Sequence, residues 1–191
     1  LTPILPVELE EFLACPEKPI LCTFGTGNLH CKDYFYHALN AVKKGNYRAI
    51  FICKDRNLLP TELPDSLLWL AYCNNFPALL QRCSLIVHHG GIGTLAESAR
   101  AGIPQLITPF LGDQWDNAAR IRSLQLGSSI PASDLTDENF YEAVTEILQS
   151  TSIRTHCTAL SERIRQRMSS HDIARNIIAA LTQINVLESP T

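Results

Sequence analysis

The sequence predicts an α/β domain: a doubly wound, Rossmann-like parallel sheet with helices on both faces. Two observations carry that reading. Short runs rich in Ile, Leu, Val and Phe recur along the chain, and the stretches between them have helical spacing. Strands apolar on both faces must be covered on both sides, and alternation with helices supplies the crossovers that parallel strands need. A third observation sets the scale: 191 residues at 46% hydrophobic content suit one domain with a full core.

Taken in order, residues 1–18 read as a linker with a short helix from Pro6 to about Ala14. Ile20 to Phe24 is a buried strand that ends at the turn Gly25-Thr26-Gly27. Tyr34 to Val42 is a helix with Phe35, Ala38, Leu39 and Val42 on one face, closed by Gly45-Asn46. Arg48 to Cys53 and Leu67 to Tyr72 are the next strands, and Phe76 to Cys83 fits a short helix. Leu85 to His88 runs into a glycine-rich loop, followed by a helix from about Leu95 to Ala101 that Gly102 stops. Gln105 to Phe110 is a fifth strand, Asn117 to Leu124 a helix, and Ser129-Ile130 a last short strand. The helical segments Phe140 to Gln149, Ile153 to Met168 and Asp172 to Ile184 complete the chain. The sheet-forming unit is expected over 19–150, with helices in 151–191 completing it. In such sheets ligands lie beyond the carboxyl ends of the strands. The loops after Phe24, Tyr72, His88 and Phe110 are therefore the places to look for chemistry.

Composition narrows the function. The net charge is −3 and no basic run exceeds Lys43-Lys44, which argues against nucleic acid as a partner. Seven cysteines without a Cys-x-x-Cys pair fit neither a disulfide framework nor a structural zinc site. A reducing, cytoplasmic setting is expected. No stretch has the length and apolarity of a membrane span, and no signal-peptide pattern is seen. Leu1 in place of a methionine predicts a chain that starts inside a longer gene product.

His88-His89-Gly90-Gly91-Ile92-Gly93-Thr94-Leu95-Ala96-Glu97-Ser98 is the most informative segment. Glycines directly after a buried strand let the backbone approach a ligand, and the helix that follows offers unpaired N–H groups and a positive dipole end. Together these make a phosphate site. His89 can add a hydrogen bond, a stronger one if protonated. Neighbouring strand residues face opposite ways, so only one histidine of the pair reaches the loop; His88 is read as structural. The spacing is neither Gly-x-Gly-x-x-Gly nor a P-loop, which sets aside dehydrogenases and P-loop NTPases. A ligand-free explanation stands beside this one. Thr94 and Glu97 have the spacing of a capping box, and Asp113 or Asp116 could cap the following helix. Trp115 reads as an anchor for that helix, and His30 as a surface residue.

The stretch from His88 to Ile121, with Asp113-Gln114 inside it, closely resembles the nucleotide-sugar motif of family 1, GT-B-fold glycosyltransferases. The nearest likeness is to bacterial lipid, sterol and natural-product transferases, rhamnosyltransferases among them. Pro19 to Gly27 and Phe76 to Cys83 resemble other parts of that family's C-terminal, donor-binding domain in the same order. The resemblance implies that His89, Gly91, Gly93 and Thr94 hold the donor diphosphate, with Gly25 and Thr26 facing it. It implies that Glu97 binds the ribose, that Asp113 and Gln114 bind the transferred sugar, and that Tyr72, Cys73 and Asn74 line the base pocket. Cys73-Asn74-Asn75 departs from the aromatic or proline common there.

On this likeness the donor is a UDP-sugar or dTDP-sugar, with neither a metal nor another cofactor. The reaction is inverting transfer of a hexose to a hydroxyl of a lipid or small molecule. The general base would lie in an N-terminal acceptor domain, present in cis or as a separate subunit, through which peripheral membrane association would arise. No catalytic residue falls in this chain, so alone it should bind donor and transfer little. A sugar-nucleotide epimerase half, a non-catalytic nucleotide-binding subunit and an NAD-binding domain are the rival readings.

Overall fold

The computed structural model describes residues 5–24 and 31–166. The segments 1–4, 25–30 and 167–191 lie outside it, and with them Gly25, Thr26, His30 and the helix expected from Asp172 to Ile184.

Six strands form one wholly parallel sheet: β1 Ile20–Thr23, β2 Ala49–Ile52, β3 Leu67–Leu70, β4 Leu85–His88, β5 Gln105–Ile107 and β6 Gly127–Ser129. Their order is β3-β2-β1-β4-β5-β6. The helices are α1 Val7–Leu13, α2 Cys31–Gly45, α3 Phe76–Leu80, α4 Ile92–Ala101, α5 Gln114–Ser123, α6 Asp137–Gln149 and α7 Thr151–Gln166. The doubly wound sheet is the architecture predicted above. Its winding reverses between β1 and β4, where Thr23 pairs with His88 at the carboxyl ends. A crevice must open at that point because the crossovers leave it in opposite directions.

Alternation along the strands divides the core in two. Ile20, Cys22, Ala49, Phe51, Leu85 and Val87 face α2 and α6 and pack with Phe35, Leu39, Phe140 and Val144. Phe24 stacks on Tyr34 at 4.8 Å between ring centroids and meets Phe35 edge-on at 5.0 Å. On the opposite face Leu21, Ile50 and Ile86 pack with Leu79 and Leu80 of α3 and with Leu9 and Leu13 of α1. The described part of the N-terminal segment is thus docked on the sheet, and Arg82 ties it down by pairing with Glu10 and donating to the Leu13 carbonyl at 3.0 Å. Helix α7 returns onto α4, where Ser161 Oγ donates to the Arg100 carbonyl at 2.7 Å.

Two helices begin three residues earlier than the spacing predicts. α4 starts at Ile92 rather than Leu95, and α5 at Gln114 rather than Asn117. The expected Thr94–Glu97 capping box therefore does not form. Gly91 is the N-cap and contributes no side chain, Thr94 already sits in the first turn, and Glu97 instead faces Arg100 at 3.7 Å. Glycine tolerates the N-cap conformation without leaving a side-chain signature there, which is why the spacing misplaces the start. Asp113 occupies the N-cap position of α5 but makes no capping bond to its amides.

Two predictions follow from this packing. Gly102 ends α4 with φ +74°, and a Cβ there would sit 3.0 Å from Ser161 Cβ. Gly102→Ala should lower stability by about 1–3 kcal/mol in denaturant melts. His88 is fully buried, its Nε2 3.0 Å from Gln105 Oε1, and burial pushes its pKa from 6.5 down to about 4. Between those values the unfolded chain takes up a proton that the folded chain refuses. Stability should therefore fall as pH drops through that window, at about 1.4 kcal/mol per pH unit from this group. Melts from pH 7 to pH 4 measure the slope, which His88→Asn should reduce.

Candidate functional site

At the switch point, β4 ends in His88 and the chain turns at Gly90, whose φ is +97°. A Cβ at Gly90 would lie 2.8 Å from Ile107 Cγ2, so the turn is open only to glycine. Gly91 follows as N-cap of α4, and a Cβ there would meet His89 Nε2 at 2.7 Å. The small residue lets the imidazole lie over the loop.

By helix geometry the first-turn N–H groups of Ile92, Gly93 and Thr94 have no acceptor within α4, and the described residues outside it provide none. The turn is also uncovered. Ile92 is 61% exposed, and a Cβ at Gly93 would meet nothing within 4 Å. A ten-residue helix thus points its positive end into open space.

His89 is half-buried beside this turn, its ring 6.2 Å from that of Phe110. Its Nδ1 is buried without a hydrogen-bond partner among the described residues. Burial lowers its pKa, against a weaker opposing effect of Asp113. The imidazole is therefore neutral near pH 7. It can donate one N–H but does not bring the positive charge the sequence allowed for.

Next to the loop, over the carboxyl ends of β1, β2 and β3, lies a cleft of 640 Å³. Of the three residues expected to line a base pocket, Tyr72 and Cys73 line this cleft and Asn74 does not. Thr94 lines it too, so cleft and helix start share a residue. Glu97 lies one turn further along α4, on the same side as Thr94. Ile52, Cys53, Lys54 and Phe76 also line the cleft. The loop after β2 was not among those singled out from the sequence. Its place at the carboxyl end of a predicted strand was the available signal.

On the other side of the loop, Asp113 is exposed and its Oδ2 accepts from Asn117 Nδ2 at 3.2 Å. Gln114 is almost buried. Its Oε1 accepts from the backbone N–H groups of Phe110 and Leu111 at 2.9 and 3.1 Å. The acceptor end of this side chain therefore holds the loop after β5 in shape. Trp115 is 47% exposed rather than buried under the helix. Across Phe110 a second cavity of 460 Å³ is lined by Asp33, Tyr34, His37 and Leu135. Among the described residues no group of three or more His, Cys, Asp or Glu could hold a metal ion. None of the helices there is long and apolar enough to cross a membrane.

This arrangement, amides at a helix start flanked by a cleft on one side and an exposed carboxylate on the other, can be compared with known proteins. A sequence profile described as Erythromycin biosynthesis protein CIII-like, C-terminal domain, matches residues 50–183. The chain is similar to O-mycaminosyltylonolide 6-deoxyallosyltransferase of Streptomyces fradiae, 28% identical over 163 residues that cover 82% of this chain and 37% of that enzyme. It is also similar to a sterol 3-beta-glucosyltransferase of Candida albicans, 30% identical over 175 residues covering 84% and 11% of the two chains. Among solved structures, the spinosyn forosaminyltransferase SpnP superposes with a TM-score of 0.78 at 22% identity, over 94% of this chain and 47% of that one. CalG4, the calicheamicin glycosyltransferase, gives a TM-score of 0.78 at 20% identity, over 88% and 44%. The chain thus spans less than half the length of each of these proteins. It belongs to the erythromycin biosynthesis protein CIII-like C-terminal domain family of GT-B glycosyltransferases.

Proposed function

We propose that this chain is the nucleotide-sugar-binding half of a metal-independent, inverting glycosyltransferase that moves a hexose to a hydroxyl of a lipid or small molecule. The single observation that carries the reading is the uncovered first turn of α4 at the switch point of the sheet, with the 640 Å³ cleft sharing Thr94. A nucleoside diphosphate fits that combination in parts. Its pyrophosphate meets the amides of Ile92, Gly93 and Thr94 and the His89 N–H, while the base enters the cleft past Tyr72 and Cys73. Glu97 accepts both ribose hydroxyls, since an ionised carboxylate is acceptor-only and has two oxygens. Gly25 and Thr26 are assigned to the diphosphate on the family's pattern alone.

Beyond the pyrophosphate, Asp113 and the Gln114 NH₂ meet hydroxyls of the sugar. The amides and the dipole stabilise the negative charge that builds on the departing diphosphate, which is where a transferase of this kind lowers its barrier. The acceptor hydroxyl loses its proton to a general base on an acceptor-binding domain, in the same polypeptide or a partner. We assign no base to the described residues. The chain by itself is accordingly expected to bind donor and to transfer little. Among the described residues six cysteines are free thiols, with Cys15 at the surface.

Calorimetric titration with UDP, dTDP, UDP-glucose and dTDP-rhamnose tests the reading, with thermal shift against NAD as the contrast. Binding of at least one nucleoside diphosphate and none of NAD is expected; indifference to all four donors and products would overturn it. Glu97→Ala should weaken UDP by about tenfold. The same change should have less effect on dTDP, which lacks the 2′-hydroxyl, and none on inorganic pyrophosphate. Equal losses for all three would remove Glu97 from the ribose.

A further inference from the structure

The diphosphate loop is gripped from behind by side chains that never reach its ligand. Gly90 donates its N–H to His88 Nδ1 at 3.1 Å, and its carbonyl accepts from Asn117 Nδ2 at 2.9 Å. His88, Gln105 and Asn117 are all buried, at 0%, 0% and 7% exposure. A backbone N–H can only donate, so Nδ1 of His88 must be the acceptor and its proton sits on Nε2. That N–H then donates to Gln105 Oε1 at 3.0 Å. One backbone amide thus sets the tautomer of His88 and the orientation of the Gln105 amide.

We propose that His88 and Asn117 are positioning residues of the donor site, clamping Gly90 from both sides so that the amides of Ile92, Gly93 and Thr94 face the ligand. Asn117 also carries the clamp to the sugar side, because the same Nδ2 donates to Asp113 Oδ2 at 3.2 Å. One amide therefore spaces the diphosphate loop and the sugar-facing carboxylate relative to each other. The inference rests on the donor-binding reading above and deepens it. It also separates His88 from an ordinary core histidine. A core histidine fills volume, whereas this one replaces the acceptor that the Gly90 N–H would otherwise lack in a buried turn.

Asparagine supplies the discriminating variant. Its Oδ1 can accept from the N–H two residues on, as in an Asx turn, so it can copy the Nδ1 bond without copying the volume. In His88→Asn, UDP affinity should stay within about threefold of the native chain, and in His88→Leu it should fall by about tenfold or more. Both variants lose packing, so lowered melting temperature in both does not separate them; affinity does. Asn117→Leu should weaken UDP-glucose more than UDP, because it also releases Asp113. That variant carries the test from the α5 side should His88→Leu fail to fold.

Amide hydrogen exchange provides a readout that needs no ligand. Gly90 should be protected in the native chain and in His88→Asn, and exchange at least about tenfold faster in His88→Leu. Protection and UDP affinity both unchanged in His88→Leu would overturn the clamp. If the native chain binds no nucleoside diphosphate, the donor-site reading falls, and the exchange of Gly90 still decides whether His88 holds the turn.

Discussion

The constraint on which this molecule depends is that the first-turn amides of α4 must stay unpaired and uncovered. Buried backbone donors are nearly always satisfied, and a helix start left bare needs either water or a ligand. Here three devices keep the turn open. Gly91 removes the side chain that would displace His89, and Gly93 places nothing over the helix axis. Gly90 takes a φ of +97°, which only glycine adopts readily, and so sends the chain over Ile107. Each glycine serves a different steric need, and a substitution at one would not be offset by the others.

The sheet explains why these devices sit where they do. With the order β3-β2-β1-β4-β5-β6, the carboxyl ends of β1 and β4 flank the reversal in winding. Thr23 and His88 are partners in that register, one lining the cleft and the other standing behind the loop. The strand tips to one side, on β2 and β3, bring Cys53, Lys54 and Tyr72 to the cleft, while the loop beyond β5 places Asp113 on the other side of the glycine loop. A ligand laid across these tips runs along the sheet edge, which suits an extended molecule with base, phosphate and sugar portions in sequence.

Much of this was legible in the residues. The buried strands are continuous apolar runs, so Leu85–His88 emerges with the bounds the periodicity predicts. The His88–His89 distinction follows from the two-residue period of a strand. Local signals failed where the deciding contact was distant or left no side-chain mark. The start of α4 was misplaced because its cap is a glycine. The start of α5 was misplaced because Gln114 looks like a loop residue until its amide is seen holding Phe110 and Leu111. Asn117 binds Gly90 across 27 positions, a pairing that no window of sequence displays. The contribution of Lys54 depends on β2 lying beside β1, which is a fact of strand order rather than of spacing.

Charge places a further demand on the site. The chain carries a net charge of −3, and the two histidines at the loop are held neutral by burial. Arg100, the cation on α4, faces Glu97 at 3.7 Å. Lys54 is the cationic side chain that lines the cleft. If the proposed diphosphate site is right, fixed dipoles have to do most of what formal positive charge does in phosphate sites elsewhere. Such dipoles lose little on reorganisation and gain strength as water leaves. An opposing domain that closes over the α4 turn would exclude that water. On the proposed donor-binding role, donor affinity and leaving-group stabilisation should respond unequally to closure: the open helix start would suffice to hold a diphosphate, whereas its full effect on developing charge would require the dry environment of a covering domain.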